Sequence, residues 1–204
     1  MRPTPPRSRI PSMPCWPRLA TSGLLAAALA GGAAQAQVLE PDPGVRAALM
    51  DAVSEADSFE HPFDAEVWLL DMSTRLTAYN AAYDDGLDIL RVAHREALRA
   101  ELPPELVLAV IDIESRFDKF AISHAGALGL MQIMPFWLDE IGRPNDNLFQ
   151  VETNLRYGCA ILKHYLDREN GDLTRALARY NGSLGKTWYP ERVLEALSSR
   201  WYQR

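Results

Sequence analysis

Cysteine is nearly missing from this chain. Its 204 residues hold two, Cys15 and Cys159, too few for a fold stapled by several disulfides. Long apolar runs are missing too: no window of 18 or more apolar residues occurs, which excludes a multi-span membrane protein. Positive charge is in deficit. The net charge is −6, and beyond the first 36 residues 17 basic side chains face 27 acidic ones. A body of that sign repels phosphate backbones and excludes general nucleic-acid binding. The four histidines, His61, His94, His124 and His164, show no ligand spacing, so no metal is expected, and no cofactor either. Strand-length alternation and internal repeats are also lacking. What remains is an ordinary globular composition, 48% hydrophobic and 24% charged.

Residues 1–36 read as a secretory signal, with domain-forming sequence after them. Arg2, Arg7, Arg9 and Arg18 come with no acid, an apolar run follows from Leu19 to Ala30, and Ala34-Gln35-Ala36 gives the small-x-small pattern of a cleavage site. Cleavage after Ala36 leaves Gln37 first and removes Cys15. The alternative is an uncleaved anchor, but 12 residues are too few to cross about 30 Å of hydrocarbon as a helix. The expected product is exported and periplasmic, with no stable membrane insertion. Cys159 then has no partner within the chain, and core burial alone must hold the 168 residues together, which that length allows.

The mature sequence reads as helical almost throughout. Apolar spacing predicts helices from Val45 to about Phe59 and from an Asp64 N-cap with Val67, Trp68, Leu70 and Leu76 inward. A third runs from Asp85 to Glu101 with Leu87, Leu90, Val92, Ala97 and Leu98. Pro103-Pro104 interrupts the chain, and Pro104 opens a helix to about Phe117 with Leu106, Val110, Ile113 and Phe117 on one stripe. Glycines at 126 and 129 and Pro135 mark a loop or short hairpin. Further helices are expected from Pro135 to Ile141, from Val151 to Leu166, from an Asp172 cap to Tyr180, and from Pro190 to near Trp201. Charge balance shifts near residue 100: residues 37–100 carry 5 basic and 13 acidic side chains, residues 101–204 carry 12 and 14. The domain plan is therefore 1–36 signal, 37–100 acidic helical segment, 101–204 catalytic domain.

Glu114 is the first candidate for chemistry. It stands beside Ile113 near the end of an apolar helix. A carboxyl held against apolar walls is disfavoured as an anion and its pKa rises, which suits a general acid near neutral pH. The plainer reading is a solvated glutamate paired with Arg116 or Lys119. Cys159, on an apolar stripe, reads as an inert core residue.

The neighbourhood of Glu114 adds to that. Glu114-Ser115-Arg116-Phe117, then Ser123-x-x-Gly126-Ala127-x-Gly129-Leu-Met-Gln132-x-Met134-Pro135, then Asn154-Leu-x-x-Gly158, Tyr165-Leu166 and Tyr180-Asn181 before Gly182 and Gly185 resemble the soluble lytic transglycosylase (SLT) domain. The resemblance covers about residues 101–195. It implies a mostly α, lysozyme-like fold related to goose-type lysozymes, with a short loop or hairpin, preceded here by the helical N-terminal segment. It also implies cleavage of the β-1,4 bond between N-acetylmuramic acid and N-acetylglucosamine in peptidoglycan strands, leaving a 1,6-anhydro end. Glu114 would act first as acid and then as base. Ordinary glycosidases need two carboxyls, whereas Asp112 is about 200° around the helix from Glu114 and Asp118 lies past its end.

The same resemblance makes Ser123, Gln132, Met134, Tyr180 and Asn181 the substrate-binding residues. Gly126 and Gly129 are expected to let backbone approach the glycan closely. Plainer readings stand beside three of these: Met134 as core filler, Tyr180 as a packed aromatic, Asn181 as a helix cap. Two departures touch subsite preference: Arg179 stands where the family has a small residue, and Asn181-Gly-Ser-Leu-Gly185 replaces Asn-Ala-Gly-Pro-Gly. The competing functions are a hydrolytic muramidase on the same fold and a non-catalytic murein-binding envelope-assembly protein. Protein partners are not legible.

Overall fold

The computed structural model describes residues 57–79 and 85–202. Among these described residues seven α-helices follow one another: α1 Pro62–Tyr79, α2 Gly86–Arg99, α3 Pro104–Ser115, α4 Phe136–Ile141, α5 Val151–Arg168, α6 Leu173–Tyr180 and α7 Trp188–Ala196, with a π-helical turn at Leu197–Trp201. Among the described residues pairing is limited to isolated antiparallel bridges, Ile122 with Leu128 and Leu128 with Ile133. The mostly α architecture and the short hairpin both agree with the sequence.

α3 is the axis of the molecule. Its turns from Leu106 to Asp112 are buried all round, as a helix apolar on every side must be. It packs against α2, α7 and the π turn, while α5 bridges α2 and α6. One continuous core runs from Trp68 to Trp201.

The chain leaves α3 through two successive left-handed residues, Arg116 (φ 53°) and Phe117 (φ 67°). Each costs roughly 1–2 kcal/mol for a residue with a Cβ. Phe117 is fully buried, its ring 5.2 Å from that of Trp201, and that burial offsets the strain. The same corner holds Asp112, whose Oδ2 accepts from Arg200 Nε at 2.7 Å and Trp201 Nε1 at 3.0 Å. The last turn of α3 is thereby locked to the C-terminal helical stretch.

Several expected details shift. The helix predicted from Val45 to Phe59 lies outside the described residues up to 56, and residues 57–59 are turn and bend. α1 begins at Pro62, so Asp64 sits in its first turn and not at its cap. Val67 and Leu70, expected inward, are exposed; Ala65, Leu69 and Met72 join Trp68 and Leu76 in the core instead. Leu98 of α2 is likewise exposed. The helical stretch expected from Pro190 starts two residues earlier, at Trp188. By contrast Asp172 does cap α6, its side chain accepting from the Arg175 N–H.

Candidate active site

Glu114 sits on the last turn of α3, where the helix leaves the core. Burial disfavours its anion and pushes its pKa from 4.5 up to about 7, against two opposing influences, a hydrogen bond from Tyr189 and the charge of Arg192. Tyr189 Oη donates to Glu114 Oε1 at 2.6 Å. Tyr189 and Arg192 lie one turn apart on α7, so a single helix supplies both groups that face the carboxyl. Tyr180, from the end of α6, is also near enough that Glu114 helps raise its pKa well above the ordinary value. Burial keeps both phenols protonated as donors.

The other carboxyls near Glu114 in sequence are otherwise engaged. Asp112 is held by Arg200 and Trp201. Asp118 Oδ1 accepts the Phe120 N–H at 2.8 Å. Lys119, one of the two cations that the ion-pair reading of Glu114 offered, is paired with Asp85 instead.

The segment between α3 and α4 forms the next layer. Leu128 and Ile133 exchange backbone hydrogen bonds, each 2.9 Å, and the Ser123 N–H donates to Ala127 O at 3.0 Å. Asn154 of α5 fastens this hairpin from below. Its Oδ1 accepts the Met131 N–H at 2.8 Å, and its Nδ2 donates to Leu128 O at 2.9 Å and Leu148 O at 2.8 Å. Gly158, one turn further along α5, leaves room for the Met131 side chain: a Cβ there would lie 2.8 Å from Met131 Cβ. Tyr180 Oη then donates to Met131 O at 2.7 Å. Met131 is thus gripped by α5 below and α6 beside it.

With this geometry in view, comparison with known proteins is decisive on kinship. The family model described as the transglycosylase SLT domain matches residues 91–197. The chain belongs to the transglycosylase SLT domain family. It is 34% identical over 104 residues to a transglycosylase of Enterobacteria phage PRD1, a match covering 48% of this chain and 38% of that protein. It is 30% identical over 112 residues to membrane-bound lytic murein transglycosylase C of Photorhabdus laumondii, covering 47% and 31%. It is 39% identical over 87 residues to membrane-bound lytic murein transglycosylase F of Desulfosudis oleivorans, covering 40% and 19%. The chain spans about a third of the length of the first two relatives and less of the third.

Within the SLT domain the residues singled out from sequence divide into two kinds. Glu114 and Tyr180 come together, as above. Ser123 and Gln132 make contacts inside the hairpin: Ser123 Oγ accepts the Ala127 N–H at 3.0 Å, and Gln132 Nε2 donates to Gly129 O at 3.0 Å and Ala121 O at 3.3 Å. Met134 is half-buried just before α4. Asn181 ends α6, its N–H donating to Leu177 O at 3.1 Å.

The expected part for Gly129 is corrected. Its φ is +71°, and a Cβ there would lie 2.5 Å from Leu148 O and closer still to Asn154 Nδ2. The space beside it is filled by protein, so the glycine serves packing of the hairpin on α5. Gly126, with φ +84° and open space around it, keeps the expected freedom. The Arg179 departure also has a local account: its Nε donates to Glu169, which Arg175 holds as well. The side chain that replaces a small residue is thus tied to the end of α5.

Two SLT-domain residues, Tyr189 and Arg192, escaped sequence reasoning, as did the role of a third, Asn154. Asn154 was visible within a motif, but nothing local indicated that it carries the hairpin. Tyr189 stands 75 positions from Glu114, and a tyrosine before a proline has no signature of its own. Arg192 follows only once Tyr189 is placed, at three residues' spacing on the same helix.

Proposed function

We propose that this protein is a peptidoglycan lytic transglycosylase. It cleaves the β-1,4 bond between N-acetylmuramic acid and N-acetylglucosamine and leaves a 1,6-anhydromuramic acid end. The observation that carries this reading is Glu114: one half-buried carboxyl with its pKa near 7, hydrogen-bonded by a phenol that stays protonated. The names of the relatives, which describe murein transglycosylases, supply the substrate class.

A single carboxyl suffices if the substrate provides the nucleophile. Protonated Glu114 gives its proton to the glycosidic oxygen, and the C1–O bond breaks toward an oxocarbenium ion. The carboxylate that remains takes the proton of the C6 hydroxyl of the same sugar, whose oxygen then bonds to C1. The proton returns to Glu114 and no water is consumed. A pKa near 7 fits both strokes, because acid and base are each most effective when poised near the working pH. Tyr189 orients the carboxyl and stabilises its anion midway through the cycle.

The hydrolytic alternative needs a second carboxyl to activate water. The commitment of Asp112 to Arg200 and Trp201, and of Asp118 to its own turn, argues against it. Ser123, Gln132, Met134, Tyr180 and Asn181 are the proposed substrate-binding residues. Gln132 has its amide donors engaged within the hairpin and keeps its carbonyl oxygen for a sugar N–H or O–H. In this reading the catalytic domain comprises residues 101–204 and follows an acidic segment, 37–100. Export with cleavage after Ala36 suits this substrate, and N-terminal sequencing of envelope protein should return Gln37. Zymography on purified peptidoglycan tests the activity itself: a clearing band for the wild type that disappears for Glu114→Gln supports the reading, and no clearing by the wild type defeats it.

A further inference from the structure

Residues 181–187 join α6 to α7, and both ends of this loop are set against Glu114. Tyr180, the last residue of α6, is close enough to feel the charge of the carboxyl, and Tyr189, in the first turn of α7, donates to it at 2.6 Å. The two phenols also influence each other. A loop closed at its base by these groups presents its side chains at the rim of the site. This is also where the chain departs from its family, with Asn181-Gly-Ser-Leu-Gly185.

Two large apolar side chains stand open on this segment, Leu184 at 45% exposure and Trp188 at 47%. Trp188 opens α7, and its ring meets that of Tyr189 edge to face, with centroids 5.9 Å apart and planes at 84°. Tyr189 itself is fully buried. The indole is therefore steadied by the phenol that holds the acid, while much of it stays in solvent. Among the described residues the other tryptophans, Trp68, Trp137 and Trp201, are buried or partly buried in the core. Aromatic burial is one of the largest gains open to a side chain. An indole left open at the rim of a site is a surface to be covered by what the site binds.

The chemistry that covers it best is a sugar ring. In a β-1,4-linked N-acetylated glycan the ring substituents are equatorial, so each pyranose has axial C–H bonds on its two faces and its polar groups around the edge. The face of an aromatic ring is negative and attracts such C–H groups. One indole and one leucine are too little for a protein partner, whose interface takes about 20–30 residues a side, but they match a single pyranose in size. The Tyr189 ring intervenes between the indole and the carboxyl, so the sugar concerned flanks the pair being parted.

We infer that Trp188 is a specificity-determining residue, whose exposed indole stacks on a pyranose flanking the bond that Glu114 protonates. The inference rests on the transglycosylase reading for the identity of the sugar. It makes Trp188 a binding group that leaves proton transfer to Glu114, and it favours strands longer than a disaccharide.

The test uses the whole purified chain and stem-free glycan strands prepared by amidase digestion of peptidoglycan. In the Glu114→Gln protein, which does not consume them, the strands should shield tryptophan emission from acrylamide, and adding Trp188→Phe should remove that shielding. In the active enzyme Trp188→Ala should raise KM roughly 5- to 30-fold, the usual range for truncating an aromatic anchor, with kcat little changed. Trp188→Phe, which keeps a ring, should recover most of the loss. The pH–kcat profile separates stacking from mere support of Tyr189: its alkaline limb should stay in place in Trp188→Ala. An unchanged KM, a displaced limb, or shielding that is absent or persists without Trp188 overturns the inference. The shielding comparison needs no alanine variant, so it decides even if Trp188→Ala fails to fold. Strands that shield Trp188 in a protein whose wild type cuts no peptidoglycan defeat the transglycosylase reading while upholding the stacking; turnover with a KM indifferent to Trp188→Ala does the reverse.

Discussion

Tyr189 Oη donates to Glu114 Oε1 across 2.6 Å, joining the first turn of α7 to the last turn of α3. The bond favours the carboxylate and so opposes the burial that raises the pKa of Glu114. Tyr189→Phe removes it while keeping the ring. The pKa of Glu114 should then rise further above 7, and the alkaline limb of the pH–kcat/KM profile should move upward with it. The maximal rate should fall, because the carboxylate formed midway loses a hydrogen bond worth roughly 1.5–3 kcal/mol for a charged acceptor. A profile that keeps its alkaline limb in place would show that Tyr189 has no bearing on the acid.

Glu114→Gln keeps volume and polarity but cannot pass a proton. Turnover should drop by roughly 10²–10⁴ or more, the range for a general acid or base. Stability should move the other way. The folded pKa is raised from 4.5 to about 7, so the native state holds its proton more tightly than the unfolded chain does. The wild type therefore loses stability as pH rises from about 4.5 to about 7. Above 7 the loss is complete, on the order of 3 kcal/mol for a shift of this size. Thermal melts should show the Gln variant equal to the wild type near pH 4 and more stable at pH 8. Equal melts at both pH values would mean that the carboxyl is not desolvated.

Gly129→Val should lower melting temperature and activity together. The added side chain meets the Leu148 carbonyl and Asn154 at a backbone of φ +71°, so the hairpin must lift from α5. Strain at a left-handed residue and overpacking each cost about 1–3 kcal/mol. Activity lost with an unchanged melt would reassign Gly129 to the glycan surface.

Much of this molecule was legible in the residues, and the parts that were not have physical reasons. α3 declared itself because an unbroken apolar stretch from Leu106 to Ile111 after a helix-starting proline has one natural place, the core. The Asp172 cap and the helix after it were equally plain. The face of α1 was misjudged because its apolar residues cover more than one side: Val67 and Leu70 compete with Leu69 and Met72, and only packing against α2 decides. Gly129 was recognisable as special, but whether its missing Cβ makes room for ligand or for Asn154 depends on a partner 25 positions away. Glu114 could be named from its motif, whereas Tyr189 and Arg192 become its neighbours only when α7 closes on α3. Local sequence patterns report helices and turns; the contacts that tune a carboxyl come from distant segments.

The central claim is that one carboxyl works with the substrate's own C6 hydroxyl in place of water. Mass spectrometry of the fragments released from purified peptidoglycan tests it most directly. The account predicts muropeptides ending in 1,6-anhydromuramic acid, lighter by one water than their hydrolytic counterparts, with none of the oxygen supplied by labelled solvent. Fragments with reducing ends that carry solvent oxygen would contradict it and make the enzyme a hydrolase.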